Sequence, residues 1–556
     1  MHDIALRGKE SSSGNVQSLY AFRIEAGDEL LRQHLESSPA NARYTSVRIE
    51  HELIKICEST IREEIVAKVK QAPGFAIIAD ESADISGHEQ LSLGVRFIDM
   101  NSSNTIICEE FLGFARLTAL DAASIANTIL EHCSKFGLNL EKLYGQAYDG
   151  CSTMAGKENG VQSKIRSKFP KAAFVHCAAH KLNLVVHDSN AVPDIRNTTG
   201  TVKAIIKYFR DSPKRRNMIP NVPLLSETRW TAKYKSIRVF SSSFVDIFEQ
   251  LHVLATTAAG KTRQDAYQLQ CASSTGNFVV SLIIISTYSA MLEPVTQALQ
   301  AVELDILAVS GHVQNLLAIF RSHRTDAANH FKIIFEKAED LAKSIGTELL
   351  IPRQCGRQVH RANVDSCNTE EYFRRTIFVP YLDSLISSLD NRFGEQNRVN
   401  FSLFALCPAQ MSKMNRLDFA THIMEVNKVY EIENLNTEAL TWFDMWSNKN
   451  IAKNTENVLK DGLAGLLTYT DLFPAVREAL LIALTLPVTT CTVERSFSTM
   501  RRVKTWLRST MTDGQLSGLC MMSVHRAKIL EQKSELIEKV INHFAQDERR
   551  VQLLFK

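Results

Sequence analysis

Three acidic residues in strongly patterned settings constrain this chain more than any other feature. Asp80 closes the apolar run Phe75-Ala76-Ile77-Ile78-Ala79, continuous enough for a central strand covered on both faces. Asp149 closes a second strand pattern, Tyr144 to Tyr148, just before a Gly-Cys-Ser turn. Glu494 opens a helix that reads Glu494-Arg495-Ser496-Phe497-Ser498. Carboxylate oxygens are the ligands that Mg²⁺ takes. Two such ions about 3.5–4 Å apart activate an attacking hydroxyl and stabilise the departing oxygen of an in-line displacement. A single strand-end aspartate is most often a turn former or a cap. The inference rests on the three together, in order and in setting. Asp84 and Glu81 are rivals to Asp80, which is preferred because it directly ends the apolar run.

The elements around these acids have a definite order. Residues 46–70 read as a helix, with Ile49, Leu53, Ile54, Cys57, Ile61, Ile65 and Val66 at near-regular helical spacing. Strands follow at 74–80, at 91–97 (Leu91, Leu93, Val95 and Phe97 alternating with Ser92, Gly94 and Arg96) and at 105–117. Asp121 is placed to cap a helix that presents Ile125, Ala126, Ile129, Leu130 and Cys133 on one face. The strand ending at Asp149, a helix near 161–169 and a fifth strand at 172–177 complete the set. Three strands, helix, strand, helix, strand is the order of an RNase H-like domain. The expected fold is an α/β RNase H-like core with a mixed five-stranded sheet, interrupted by a large all-α insertion. Its parts are a helical segment at 1–70, read as the remnant of a larger N-terminal region, and the first part of the core at 71–200. The insertion follows at 201–465, the rest of the core at 466–530, and a C-terminal helix at 531–556. The insertion would separate Asp149 from Glu494 in sequence while leaving them close in space.

Composition removes several classes of function. The net charge of +3 over 556 residues means that any nucleic-acid surface is local. Eleven cysteines at irregular spacings, with no secretory leader at Met1, fit reduced thiols in the cytosol or nucleus. The uncharged stretch from Phe278 to Leu292 is short and carries Ser281, Ser286, Thr287 and Ser289, so a buried helix is expected and no membrane role. Cys177 and His180 form a Cys-x-x-His pair without the second pair a structural zinc site needs, and Cys355, His360 and Cys367 are too loosely spaced to supply it. No zinc finger is expected in this chain. No P-loop, dinucleotide-binding glycine motif or nucleophile elbow is present in the sequence.

Two basic features could follow a DNA backbone. On the Glu494 helix, Val493, Phe497, Met500, Val503 and Leu507 form an apolar stripe, while Glu494, Arg501, Lys504 and Arg508 recur along a common side. A solvated helix face with cations toward its C-terminus is the plainer reading of the same pattern. Between Thr201 and Arg238, ten Lys and Arg face only Asp211 and Glu227. There Arg229 precedes Trp230, an aromatic on which an unstacked base could rest. A single Trp is more often core. Arg353, Arg357, His360 and Arg361 make a further possible phosphate track.

The segments Ala79-Asp80-Glu81-Ser82, Tyr148-Asp149-Gly150, Cys177-x-x-His180, Thr228-Arg229-Trp230 and Val493-Glu494-Arg495-Ser496-Phe497-Ser498 resemble the hAT superfamily of DNA transposases. The likeness extends from about residue 15 to about 530. Leu507-Arg508-Ser509-Thr510-Met511 through Leu516-Ser517-Gly518-Leu519 looks like the hAT C-terminal dimerisation region. Pro352 to Arg357 is similar to a branch of hAT-derived host proteins that includes the repressor of the inhibitor of the protein kinase and MYM-type zinc-finger proteins. The resemblance implies a DDE triad of Asp80, Asp149 and Glu494, a DNA-binding place near the active site for His180, and handling of flanking DNA by Arg229 and Trp230. In such proteins Mg²⁺ or Mn²⁺ supports cleavage of double-stranded DNA at transposon ends, and chains associate through the C-terminal region. Two features depart from the family. The usual N-terminal BED, TTF or THAP finger is absent here, and Gly514-Gln515 replaces a common acidic-Arg pair, with a glycine costing about 1 kcal/mol in a helix interior.

The expected function is a hAT-like transposase, or a protein derived from one, acting in the nucleus on DNA as a homo-oligomer. Its Mg²⁺-dependent strand cleavage and transfer would use the three acids. The alternative is a domesticated, inactive nuclear protein that works through DNA binding and dimerisation. A stand-alone nuclease for RNA–DNA hybrids leaves the long insertion unexplained.

Overall fold

The computed structural model describes residues 6, 14–39, 42–99, 106–225, 230–302, 304–352, 364, 366, 368–394, 402–448 and 462–547. It divides into two compact units, one of Met1–Cys177 with Val399–Lys556, the other of Ala178–Arg398.

The first unit holds the sheet. Helix α1 (Val47–Gln71) starts where Ser46 accepts the Ile49 N–H and buries Ile54, Ile61, Ile65, Val66 and Val69. Strands β1 (Phe75–Ala83), β2 (Glu89–Asp99) and β3 (Ile106–Arg116) form an antiparallel meander. Helix α2 (Ala122–Lys135) crosses to β4 (Leu143–Tyr148), and α3 (Val161–Lys168) crosses to β5 (Ala173–His176). Strands β4 and β5 are parallel to β1, so the sheet order is β3-β2-β1-β4-β5. This is the mixed five-stranded sheet expected from the element order. Asp121 caps α2, its Oδ1 accepting from the N–H groups of Ala123 and Ser124 at 3.0 Å each.

The chain returns to this unit after residue 398. Helices Arg416–Tyr430 and Leu435–Asn448 lead to α4 (Pro474–Thr485), α5 (Cys491–Val503), α6 (Asp513–Val524) and α7 (Lys533–Ala545). The helices at 416–448 lie in the sheet-bearing unit, although the amphipathic pattern there is continuous with that of the insertion. Their attachment is specific. Glu438 Oε2 accepts from the N–H groups of Ala475 (2.7 Å) and Val476 (3.3 Å), placing a carboxylate at the positive end of α4. Trp442 Nε1 donates to the Leu406 carbonyl at 2.9 Å. The core combines Phe75, Ile77, Leu93, Val95 and Phe97 with Phe497, Met500 and Val503 of α5 and Leu516 and Met521 of α6.

The second unit is helical. Gly276–Ala298 packs against Pro193–Arg210, Trp230–Ser242 and Ala327–Ser344. Among the described residues it is the one helix long and apolar enough to cross a membrane, and 61% of its apolar window is buried. That burial accounts for its composition, as expected for the Phe278–Leu292 stretch. Tyr288 of this helix meets the rings of Phe320, Phe378 and Tyr381. Asp188 is held by Ser388 Oγ at 2.5 Å and by Arg392 Nε at 2.8 Å.

Candidate active site

Strand β1 keeps both neighbours only as far as Ile78. Its pairing with β4 ends at Ile78–Ala147, whereas pairing with β2 continues to Ala83–Glu89. The strand therefore runs three residues beyond Asp80, where the apolar run had placed its end, because the β1–β2 hairpin satisfies the backbone that β4 no longer reaches. Asp80 sits on the stretch of β1 with one open edge, and Asp149 is the first residue after the adjacent β4. Asp80 pairs with Ser92, whose Oγ lies 2.8 Å from Ser496 Oγ of α5, so Asp80 occupies the sheet position beneath that helix.

Several buried contacts fix α5 on the sheet. Arg96 on β2 forms a buried ion pair with Glu109 of β3 at 2.8 Å and donates to the Leu484 carbonyl. The other Glu109 oxygen accepts from Thr492 Oγ1 at 2.6 Å. A Cβ on Gly94 would stand 2.9 Å from Val493 Cγ1, so only glycine lets the helix lie this close to β2. At the start of α5, the Thr490 N–H points to Cys177 Sγ (3.4 Å), just beyond β5. The glutamate thus enters beside the ends of β4 and β5. Glu494 is exposed, and its Oε1 accepts from Thr490 Oγ1 at 2.6 Å.

The electrostatics link the three acids. Burial pushes the Asp80 carboxyl well above the usual carboxylate range, and the negative charges of Glu494 and then Asp149 push it further. Burial also raises Glu81, with added pressure from Asp149 and Glu89. Glu81 Oε2 is buried and accepts no hydrogen bond. Asp149 Oδ1 accepts from the Cys151 N–H at 3.2 Å. The Cys151 thiol is raised to about 12 by burial and by its hydrogen bond to the Asp149 carboxyl. Among the described residues no three His, Cys, Asp or Glu side chains are grouped closely enough to hold a metal ion as they stand. The donor chemistry nevertheless suits a hard divalent cation: a buried carboxyl raised by neighbouring carboxylates, as Asp80 is, is relieved by a positive charge placed beside it.

Asp84, the rival to Asp80, has a structural role. Its Oδ2 pairs with Lys504 Nζ at 2.6 Å, with both side chains fully buried, while Oδ1 accepts the N–H groups of Ser86 and His88. Burial raises its carboxyl, but these donors outweigh that effect and hold it low. Lys504 is therefore not part of an exposed basic row on the Glu494 helix: α5 ends at Val503, and the lysine turns inward. Leu507 likewise leaves the apolar stripe and is 96% exposed, beside Trp506 at 78%. Arg495, Arg501 and Arg502 are the exposed cations of α5, and Arg508 lies in the separate turn Trp506–Arg508. Gly514 falls in the first turn of α6 with open space around it, so it is not an interior glycine of that helix.

His180 and Trp230 belong to the helical unit. His180 is half-buried on the helix Ala178–Asp188, and Trp230 opens the helix Trp230–Ser242. Arg229, Arg353, Arg357, His360, Arg361, Cys355 and Cys367 lie outside the described residues. Sequence reasoning missed Thr490 and Glu109, which hold the Glu494 helix. The four-residue spacing of Thr490 and Glu494 was the available signal for the first. Nothing local marked the second.

Residues 3–160 match the family model of the ZMYM1/FAM200 RNase-like domain, and residues 465–527 match that of the hAT family C-terminal dimerisation region. The chain carries a hAT-related RNase-like domain and a dimerisation region, as its motifs implied. It is 26% identical over 543 residues to the 52 kDa repressor of the inhibitor of the protein kinase from Homo sapiens, covering 92% of this chain and 69% of that protein. It is 26% identical over 548 residues to the Mus musculus protein of the same name, covering 92% and 70%.

Proposed function

We propose that this chain is a hAT-like, transposase-derived protein whose Asp80, Asp149 and Glu494 form a divalent-cation site for DNA strand cleavage and transfer. The observation that carries the reading is the placement of Asp80 on the open-edged stretch of β1 beneath α5, next to the end of β4 where Asp149 stands, with its carboxyl raised by burial and by the charges of Glu494 and Asp149. Bound Mg²⁺ or Mn²⁺ would supply Lewis acidity at the scissile phosphate. Asp80 and Asp149 offer ligands from the rigid sheet, and the exposed Glu494 offers one from α5 by exchanging its hydrogen bond with Thr490. Arg495, Arg501 and Arg502 place positive charge beside Glu494, where a DNA backbone approaching the acids would run. His180, Arg229, Trp230 and Arg508 are proposed to contact DNA as well. The dimerisation region supports a homo-oligomer, and a protein that works on DNA is proposed to act in the nucleus.

A second reading has its own support, since both relatives carry the name of a repressor. In it the chain binds DNA and dimerises without cutting. Purified protein incubated with duplex DNA and Mg²⁺ or Mn²⁺ separates the two. The first reading expects metal-dependent nicking that disappears in Asp149→Asn. Retained DNA binding with no nicking in the wild-type chain favours the second, and nicking that survives Asp149→Asn removes the proposed site.

A further inference from the structure

A recess lies in the sheet-bearing unit, between the N-terminal half of α1, the last turn of α2 and the first turn of α6. Its volume is about 470 Å³, within the range of about 300–1,000 Å³ common for small-molecule sites. The lining is unusually rich in cations: Lys55, Arg62, Arg116 and Lys135, with His51 and His132 beside them.

Only two acids line the same recess, and both are already engaged. Glu58 is buried, pairs with Arg62 and accepts from Ser517 Oγ at 2.8 Å. Arg62 also donates to the Leu112 carbonyl at 2.9 Å, and its guanidinium lies 4.2 Å from the centre of the Phe136 ring. Gly113, with φ of +134°, leaves room for this cluster: a Cβ there would stand 2.8 Å from Ser517 Oγ. Asp513 accepts from Gln90 Nε2 at 3.1 Å and faces Arg116 at 3.7 Å. Lys55 and Lys135 are exposed and have no ion pair among the described residues. The floor is thus neutralised and rigid, and the uncompensated charge belongs to two lysines on different helices. Arg116 stands at the rim, and the positive end of α6 adds to the same field.

We propose that this recess binds a small, multiply charged phosphate compound through Lys55 and Lys135, with Arg116 completing the cation set. Point charges on flexible stems suit a phosphate, whose oxygens can be shared between them. The concavity favours a compact oligophosphate over a duplex, which would meet only the rim. Bound there, the ligand would bridge α1, α2 and α6 and stabilise the fold by mass action.

Thermal unfolding of the full chain is measured with pyrophosphate and tripolyphosphate, at ionic strength held constant with sodium chloride. Wild-type protein is expected to show a saturable rise in Tm, with tripolyphosphate effective at lower concentration. The Lys55→Glu/Lys135→Glu variant should need at least tenfold more ligand. The Lys55→Ala/Lys135→Ala variant serves if the charge reversal disturbs folding, and it should lie between the two. No saturable rise, or the same rise in the lysine variants, overturns the proposal. So does displacement of pyrophosphate by stoichiometric short duplex DNA, which would make the recess part of a nucleic-acid track.

Discussion

Asp80 carries the strongest charge conflict at the candidate site, and its consequence for stability has a definite sign. Its folded carboxyl binds a proton more tightly than the unfolded one, through burial first and then the charges of Glu494 and Asp149. The folded state therefore holds the extra proton between the ordinary aspartate range and the raised value, and stability falls as pH climbs through that window. Asp80→Asn is expected to abolish this fall, read as a flatter dependence of Tm on pH from 4 upward. An unchanged profile would show that Asp80 is not strained by its neighbours. Glu110 behaves in the opposite way. Burial alone would raise it, but the hydrogen bond from His525 and the charge of Lys528 hold it at about 2. Its stabilisation is present above the usual glutamate range and is lost as pH falls toward 2. Glu110→Gln should cost about 1–3 kcal/mol near neutral pH, measured by denaturant unfolding.

At the scale of elements, the helix α5 and the β1–β2 hairpin are locked by a pair that sequence reading assigned otherwise. Lys504 and Asp84 are 420 positions apart and fully buried together. Lys504→Met leaves a buried carboxylate without its counter-ion and is expected to cost about 3–5 kcal/mol. The same change should leave the salt dependence of DNA binding unaltered, because the ammonium does not face solvent. Arg501→Ala, in contrast, should weaken DNA binding across all sequences and lower the salt slope by about one contact. The central strand, the Asp121 cap and the crossover helices were legible because apolar runs and capping residues act over a few positions. The end of α5 was not. Arg501, Lys504 and Arg508 keep a helical spacing past Val503, and only a distant partner reveals that Lys504 turns inward. The extension of β1 past Asp80 was hidden for the same reason, since its partner is the β2 backbone. Of the candidate site, the acids themselves were visible as strand ends and a helix start. Thr492 and Glu109, which aim the helix, were not, because their bond joins segments brought together by folding.

For the whole molecule, the matched dimerisation region contains the exposed pair Trp506 and Leu507, held out by a turn that Ser86 Oγ anchors through the Ser509 carbonyl at 2.8 Å. Large apolar side chains this exposed are suited to a partner surface. Trp506→Ser with Leu507→Asp is expected to shift a dimer to monomer in sedimentation at micromolar concentration while leaving Tm within a few degrees. A dimer that survives the double change would place the interface elsewhere. The convergence of three carboxylates from two strands and a late helix is the claim on which the proposed chemistry stands. Calorimetric titration with Mn²⁺ tests it most directly, comparing the wild-type chain with Asp80→Asn, Asp149→Asn and Glu494→Gln. Expected is saturable binding by the wild type that each substitution weakens at least tenfold. Binding that is absent, or that is indifferent to all three changes, would contradict a shared cation site.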